Sequence, residues 1–164
     1  GLSPNAWTLI SLVPALAGLV ALVMHQLALG LAMFALSAFI DIVDGTVARV
    51  TNQVSDKGAY IDGVVDRYVE LMLYLGLLIY IGRGDFLGLP NEVWIVLLIF
   101  GGLMTRLKRM GGLLARLERL MLLYFGMFLG LFDIQWLMAV IALTALLANA
   151  TALQRIRFAL RAKS

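Results

Sequence analysis

Residues 31–50 read LAMFALSAFIDIVDGTVARV, an apolar run that closes with two aspartates and an arginine. Ten uncharged residues precede Asp41, and Asp44 follows three positions later. A membrane-spanning helix needs about 20 predominantly apolar residues, and charges within such helices are rare. The stretch therefore predicts a membrane helix with two carboxylates near one end.

The composition of the whole chain agrees with this stretch. Of its 164 residues, 62% are hydrophobic and 14% charged, whereas soluble domains average about 45–50% and about 25%. We therefore expect an all-α integral membrane protein with a single domain over residues 1–164. The chain begins with Gly1 rather than Met, as expected of one trimmed from a longer protein. The lack of cysteine excludes a disulfide scaffold and a thiolate metal site.

The apolar runs predict a bundle of six transmembrane helices joined by short loops. We place the helices at residues 6–24, 31–50, 60–81, 92–109, 117–131 and 134–155. The loops between the first four are expected at 25–30, 51–58 and 82–91, the last being a cluster of turn residues. With a cytoplasmic N-terminus, every basic residue except Arg83 falls on the inner side. Both termini are therefore predicted to be cytoplasmic.

Four aspartates are the most informative residues in this apolar chain. Asp41 and Asp44 are three apart, and Asp62 and Asp66 are four apart, so each pair lies on one helical face. Because the two helices follow one another through a short loop, the four carboxylates can converge at the cytoplasmic edge. Such a cluster repels itself unless cations neutralise it. All-oxygen ligands suit Mg²⁺, Mn²⁺ or Ca²⁺.

Two other interpretations compete with a metal site of this kind. The aspartates could be solvated loop acids paired with Arg49, Lys57 and Arg67, or the ion site of a cation transporter. Six of the ten acidic residues lie between Asp41 and Glu70, and this clustering favours the metal site over solvated acids. A transporter would place its acids near the membrane midplane with broken helices or inverted repeats. The sequence contains no such repeat.

The aspartates are part of a longer pattern, Asp41-x-x-Asp44-Gly45-x-x-Ala48-Arg49, eight residues, and then Gly58-x-x-x-Asp62-x-x-x-Asp66. At every defined position it resembles the signature of the CDP-alcohol phosphatidyltransferase family. The opening Pro4-Asn5-Ala6-Trp7-Thr8 is similar to the family's entry into its first membrane helix. With the six-helix count, the resemblance covers essentially the whole chain.

The resemblance implies a membrane enzyme of phospholipid synthesis. It would transfer a substituted phosphate group from a CDP-alcohol, such as CDP-diacylglycerol or CDP-archaeol, to an acceptor alcohol and release CMP. Asp41, Asp44 and Asp62 would hold a divalent metal that engages the diphosphate. Asp66 would be the general base and would also touch a second metal, which gives two ions, Mg²⁺ or else Mn²⁺ or Ca²⁺. Such chemistry fits two-metal displacement and general-base catalysis.

The resemblance also implies binding residues and partners. The residues implied for the CDP-alcohol are Asn5, Thr8, Asp41, Gly45, Ala48, Arg49, Ser55 and Gly58. The partners implied are the CDP-linked donor, a small polar acceptor, membrane lipid and a second copy in a homodimer, with no nucleic acid. The Gly126-x-x-x-Gly130 motif suits helix packing, either within one chain or in that dimer.

The acceptor is predicted from a group of arginines. The stretches Ala115-Arg116-Leu117-Glu118-Arg119-Leu120 and Thr151-Ala152-Leu153-Gln154-Arg155 look like the family branch that uses inositol phosphate. The residues assigned to the acceptor phosphate are Arg106, Arg116, Arg119 and Arg155. Arginine suits phosphate because it binds it in a bidentate manner, although positive-inside topology alone would also place arginines here. Glycerol 3-phosphate, serine and a soluble CDP-polyol donor remain the alternatives.

Overall fold

The computed structural model describes residues 4–50, 56–104 and 116–161. Helices account for nearly all of these residues, as predicted, and the rest form turns and one very short hairpin. The helices are α1 Pro4–Ile10, α2 Leu12–Val23, α3 Leu27–Val50, α4 Asp56–Ile81, α5 Asn91–Met104, α6 Arg116–Gly130 and α7 Ile134–Arg161. The strands are β1 Asp85–Phe86 and β2 Leu89–Pro90, which pair antiparallel.

Helices α1 and α2 together correspond to the first predicted segment. They are separated only at Ser11, whose N–H still donates to the Trp7 carbonyl at 3.1 Å, so the chain path stays helical. The interruption has a local cause, because Pro14 has no N–H to donate to the carbonyl of Ile10. Counted as one helix, α1 and α2 bring the described helices to six, the predicted number.

The predicted loop at residues 25–30 was too long, because α3 already begins at Leu27. His25 adopts a positive φ of 56°. Its N–H donates to the Leu22 carbonyl at 3.0 Å, and the Gln26 N–H donates to the Ala21 carbonyl at 2.8 Å. These bonds form a Schellman motif, which usually has glycine at the position that His25 occupies. The predicted end of the first segment at residue 24 thus agrees with the structure to within one residue, whereas the start of α3 was predicted four residues too late.

The other predicted helix boundaries differ from the structure in smaller ways. Helix α4 begins at Asp56 rather than 60, and α7 continues to Arg161 rather than ending at 155. Helix α6 agrees with the segment 117–131 to within one residue at each end. Helix α5 is described up to Met104, and the predicted continuation through 109 lies outside the described residues.

The segment at residues 82–91 was predicted as a cluster of turn residues, and it contains a hairpin whose two strands have two residues each. Leu87 and Gly88 connect the strands with positive φ values of 51° and 78°. Two consecutive positive φ angles define the type I′ turn, whose twist matches that of paired strands. The indole N–H of Trp94 donates to the Phe86 carbonyl at 2.9 Å, which fastens the hairpin to α5.

By length and composition, one described helical stretch, Ile134–Arg157, is long and apolar enough to cross a membrane. The shorter apolar helices are Trp7–Val23, Leu27–Val43 and Asn91–Met104. The six-span topology and the side of the termini therefore stay predictions. Large apolar side chains are nevertheless exposed along several helices, among them Val13, Leu16 and Val20 on α2 and Leu143, Leu146 and Leu153 on α7.

The chain divides into two compact units, Gly1–Tyr80 and Ile81–Ser164. In the first unit, the buried Leu22 of α2 fits between Gly30 of α3 and Gly76 of α4. A Cβ atom at residue 30 would lie 2.7 Å from Leu22 Cδ2, and one at residue 76 would lie 2.6 Å from Leu22 Cδ1. The ring of Phe34 packs against Gly18 in the same way, because a Cβ atom at residue 18 would lie 2.8 Å from Phe34 Cδ2. Glycine therefore allows α2, α3 and α4 to approach closely.

In the second unit, α7 packs against both α5 and α6. The Asn149 amide on α7 donates to the Leu97 carbonyl of α5 at 2.8 Å. A Cβ at Gly126 would lie 2.8 Å from Val140 Cγ1 on α7. The first glycine of the Gly126–Gly130 motif therefore serves packing within one chain, and its predicted role in a dimer stays a prediction.

We expect Gly30→Ala to lower the free energy of unfolding by about 1–3 kcal/mol, because the new methyl group overlaps Leu22 in a closed site. Thermal unfolding of the purified protein in detergent measures this loss. The matched control is Ala35→Leu on the exposed face of the same helix, which we expect to change stability by less than about 0.5 kcal/mol. In a Leu22→Ala background, Gly30→Ala should cost almost nothing. An equal loss in both backgrounds would contradict the packing described above.

Candidate metal centre and active site

Helices α3 and α4 bring three of the four predicted carboxylates together. One carboxylate oxygen each from Asp41, Asp62 and Asp66 lies within 4.8 Å of the other two, and all three residues are half-buried. Asp41 lies in the last part of α3, while Asp62 and Asp66 lie one turn apart in the first half of α4. The i, i+4 spacing therefore produces the shared face that was predicted for α4.

The N-terminal helical segment is bonded to α3 by one hydroxyl group, and a second hydroxyl bonds within that segment. The Ser37 hydroxyl of α3 donates to the Ser11 carbonyl at 2.8 Å, and the Ser11 hydroxyl donates to the Thr8 carbonyl at 2.7 Å. Ser37 lies one turn before Asp41 on the same face of α3. Thr8, which was assigned to the CDP-alcohol, is buried with 4% of its surface exposed. Thr8 therefore lies on the helical segment that the Ser37 hydrogen bond joins to α3.

The separation of the carboxylates fits a single divalent cation. Ligand oxygens lie about 2.0–2.1 Å from Mg²⁺ and about 2.3–2.6 Å from Ca²⁺, so two ligands of one ion are at most about 4.2 and about 5.2 Å apart. The three oxygens lie within 4.8 Å of one another, which is compatible with their binding one such ion. Three carboxylates so close together repel one another, and a divalent ion removes that repulsion. The donor set, entirely oxygen, suits Mg²⁺, Mn²⁺ or Ca²⁺.

The remaining residues assigned to the donor site are described less fully. Gly58 is half-buried on α4, one turn before Asp62. Asn5 belongs to α1, and α3 continues through Asp44, Gly45, Ala48 and Arg49. The side chains of these five residues lie outside the described part of the structure, as does the whole of Ser55.

Three of the four arginines assigned to the acceptor lie on α6 and α7. Arg119 is buried with 1% of its surface exposed, and Arg116 and Arg155 are half-buried. Each of the three has an interaction partner in the structure. Helices α6 and α7 are joined by the turn at residues 131–133, and the three arginines lie toward the far end of both helices from that turn. Arg106 lies outside the described residues.

Sequence analysis missed a buried polar pair on the same face of α4. Glu70 lies one turn beyond Asp66 and is buried with 2% of its surface exposed. The Tyr74 hydroxyl, one further turn along, donates to Glu70 Oε1. Glu70 was counted within the acidic cluster but given no role. Its i+4 spacing from Asp66 was the available signal, because it continues the face formed by Asp62 and Asp66.

The fold and the carboxylate cluster define a helical protein with a site suited to a divalent metal. The family model for CDP-alcohol phosphatidyltransferase matches residues 2–148. This chain therefore belongs to the CDP-alcohol phosphatidyltransferase family and is an enzyme of that class. Among its relatives, the archaetidylinositol phosphate synthase of Aeropyrum pernix is 30% identical over 162 aligned residues, which cover 93% of this chain and 80% of the relative.

Solved structures show the same fold. Phosphatidylinositol phosphate synthase of Mycobacterium tuberculosis with CDP-DAG bound superposes with a TM-score of 0.84 at 22% identity, over 96% of this chain and 86% of that one. The same Mycobacterium tuberculosis protein in complex with manganese and citrate gives a TM-score of 0.83 at 21% identity, over 96% of this chain and 82% of that one. The helical fold of this chain is thus that of a known membrane-lipid enzyme.

We expect Asp62→Asn to lower the affinity for Mn²⁺ at least about tenfold, because affinity follows the number of charged ligands. Without divalent metal, the same variant should unfold at a higher temperature than the wild type, since one of three repelling charges is gone. Calorimetric titration with Mn²⁺ and thermal unfolding in chelator measure the two effects. The control is Asp133→Asn, an exposed carboxylate in the turn before α7 where asparagine caps a helix equally well, and it should change neither. Unchanged Mn²⁺ affinity in Asp62→Asn would refute the metal centre.

Proposed function

We propose that this enzyme transfers the lipid phosphate group of a CDP-linked lipid to inositol phosphate and releases CMP, with a divalent metal at the aspartate cluster. The observation that carries the proposal is the convergence of Asp41, Asp62 and Asp66 within 4.8 Å in a chain of this family. The choice of acceptor is supported by the relative named archaetidylinositol phosphate synthase and by the similar fold of phosphatidylinositol phosphate synthase.

On the donor side, the aspartates are proposed to bind the metal ions that contact the diphosphate. Asp41, Asp44 and Asp62 are the proposed ligands of the first metal, and Asp66 reaches a second. When bound, the divalent ions neutralise the charge that develops on the diphosphate as CMP leaves. The structure of the related enzyme with CDP-DAG bound supports a CDP-linked lipid as the donor. Thr8, Gly58 and the α3 residues Gly45, Ala48 and Arg49 are the proposed nucleotide contacts, with Asn5 and Ser55.

Asp66 is the proposed general base. Its carboxylate accepts the proton of the acceptor hydroxyl while the hydroxyl oxygen attacks the lipid-linked phosphorus and the bond to CMP breaks. Asp66 suits this role because it lies one turn farther along α4 than Asp62, on the same face. It can therefore reach beyond the metal ligands toward a hydroxyl group.

On the acceptor side, Arg116, Arg119, Arg155 and Arg106 are the proposed phosphate ligands. Arg116 and Arg119 are three residues apart and lie on one face of α6, which packs against α7, the helix of Arg155. Arg119 is buried and already has an interaction partner in the structure, so its guanidinium is held in place. Its fixed fork of donors is suited to holding a phosphate in one orientation.

The enzyme is proposed to span the cytoplasmic membrane six times, with both termini and the active site on the cytoplasmic side, and to form a homodimer. The exposed apolar side chains of α2 and α7 support lipid contact. Membership of an enzyme family argues against the transporter interpretation. Glycerol 3-phosphate and serine as acceptors, and a soluble CDP-polyol as donor, are the alternatives that the activity assay separates.

We expect purified enzyme with Mg²⁺ or Mn²⁺ and CDP-diacylglycerol or CDP-archaeol to release CMP when inositol 1-phosphate is added. Glycerol 3-phosphate and serine, offered in parallel, should release little. Asp66→Asn should lower kcat by about 10²–10⁴-fold, because a general base contributes that much, while Mn²⁺ binding partly survives. Asp133→Asn is the control and should keep full activity. Full turnover in Asp66→Asn would refute the base role, and release with another acceptor alone would refute inositol phosphate.

A second variant tests the acceptor site. Arg155→Ala should raise the KM for inositol phosphate about tenfold or more, because a hydrogen bond to a charged group is lost. The KM for the CDP-linked lipid should stay unchanged. The matched control is Arg157→Ala, an exposed arginine two residues along the same helix. If Arg155→Ala altered only the use of the CDP-linked lipid, Arg155 would belong to the donor site instead.

A further inference from the structure

A polar cavity lies in the unit Ile81–Ser164 and has no role in the proposed function. It has a volume of 240 Å³ and is formed by the hairpin segment together with the first turns of α5 and α7. Its lining residues are Ile81, Arg83, Gly84, Asp85, Phe86, Asn91, Ile134, Gln135 and Met138. In the chain, this hairpin follows the last residue of α4, whereas the carboxylates belong to the first half of that helix.

Asn91 supplies the evidence that a ligand binds in this cavity. Its surface is only 9% exposed, and its Oδ1 atom is buried and accepts no hydrogen bond from any residue that the structure describes. Its backbone N–H donates to the Gly84 carbonyl at 2.8 Å, so the residue is held in place. A buried acceptor without a donor is costly to folding. A ligand with a hydroxyl or ammonium group would supply that donor.

The charged side chains that line the cavity indicate which other chemical groups the ligand contains. Arg83 and Asp85 are both exposed lining residues of the same hairpin segment, with opposite charges. A guanidinium recognises phosphate, and a carboxylate accepts hydrogen bonds from hydroxyl or ammonium groups. The lining therefore complements a molecule that combines a phosphate with hydrogen-bond donors.

The volume limits the size of this molecule. A cavity of 240 Å³ corresponds to about eight water molecules at ~30 Å³ each. It is smaller than the ~300–1,000 Å³ of typical pockets for drug-sized ligands. The cavity thus accommodates a small phosphoester group and is too small for a whole CDP-alcohol.

Three large apolar residues that neighbour the lining residues in the sequence are exposed. Leu87, Phe132 and Trp136 are 75%, 77% and 59% exposed, and each lies within two residues of a lining residue in the chain. Tryptophan and other large apolar side chains at such positions are typical of the membrane–water interface. We infer that this cavity binds the headgroup of a membrane phospholipid, with the phosphate on Arg83 and the hydroxyl or ammonium donors on Asn91 Oδ1 and Asp85.

The test compares lipid binding by the wild type and by Asn91→Leu in delipidated detergent solution. Adding phosphatidylethanolamine or phosphatidylglycerol at a hundredfold excess over its Kd should raise the unfolding temperature of the wild type by about 5 °C or more. Asn91→Leu should lose most of this rise, yet be at least as stable as the wild type without lipid, because it removes an unsatisfied buried group. Native mass spectrometry should find one phospholipid fewer on the variant.

The control is Gln26→Leu, an exposed amide in the turn between α2 and α3, which should keep the full lipid response. A full response in Asn91→Leu would overturn the proposal. Glycerol 3-phosphate and phosphoethanolamine are tested alone as soluble phosphoesters. If either gave the whole rise in unfolding temperature, the ligand would be a free phosphoester and the assignment to a lipid would be wrong.

The inference stands apart from the proposed function, and the experiment keeps the two separate. Asp66→Asn should lose turnover and retain the lipid response, whereas Asn91→Leu should lose the lipid response and still release CMP in detergent. If Asp66→Asn also lost the lipid response, the stabilising lipid would occupy the donor site, and the cavity would not be its binding site.

Discussion

Mutual repulsion among three carboxylates is the constraint on which the first unit of this protein depends. Asp41, Asp62 and Asp66 are held within 4.8 Å of one another in a chain that is 62% hydrophobic. Left to themselves, like charges at this separation would push α3 and α4 apart. Close packing elsewhere must therefore hold the helices together. A bound cation would attract all three carboxylates and so remove their mutual repulsion.

The packing that resists this repulsion is built from small residues and hydroxyl groups. Leu22 fills the space left by the missing side chains of Gly30 and Gly76. In a membrane, close contact of this kind replaces the hydrophobic effect as the source of helix association. The bond from Ser37 to the Ser11 carbonyl adds a fixed register between α1 and α3. One turn of α3 separates Ser37 from Asp41. The same helix face therefore carries the hydroxyl that bonds to Ser11 and a carboxylate of the cluster.

Much of the site could be predicted because helical periodicity converts sequence spacing into shared faces. The i, i+4 spacing of Asp62 and Asp66 required only that α4 be helical, and the convergence with Asp41 required only a short connection. The start of α3 at Leu27 was predicted too late, because the connection after α2 is a tight Schellman motif with His25 at the position where glycine normally marks such a turn. The hairpin was hidden for a similar reason, because Leu87 takes a positive φ that its residue type disfavours. Glu70 was overlooked because its burial depends on tertiary contacts.

The polar face of α4 is more deeply buried at its far end than at Asp62 and Asp66. Asp62 and Asp66 are half-buried, whereas Glu70 and Tyr74, one and two turns farther on, are 2% and 4% exposed. In the proposed function, the small polar acceptor comes from water and the CMP product returns to it, so the carboxylates proposed to react must remain accessible to water. The inner end must exclude water, because buried polar groups there are stable only when they bond one another. The hydrogen bond from Tyr74 to Glu70 satisfies the buried end of this face, and Asp66 is thus the last carboxylate along α4 that is not fully buried.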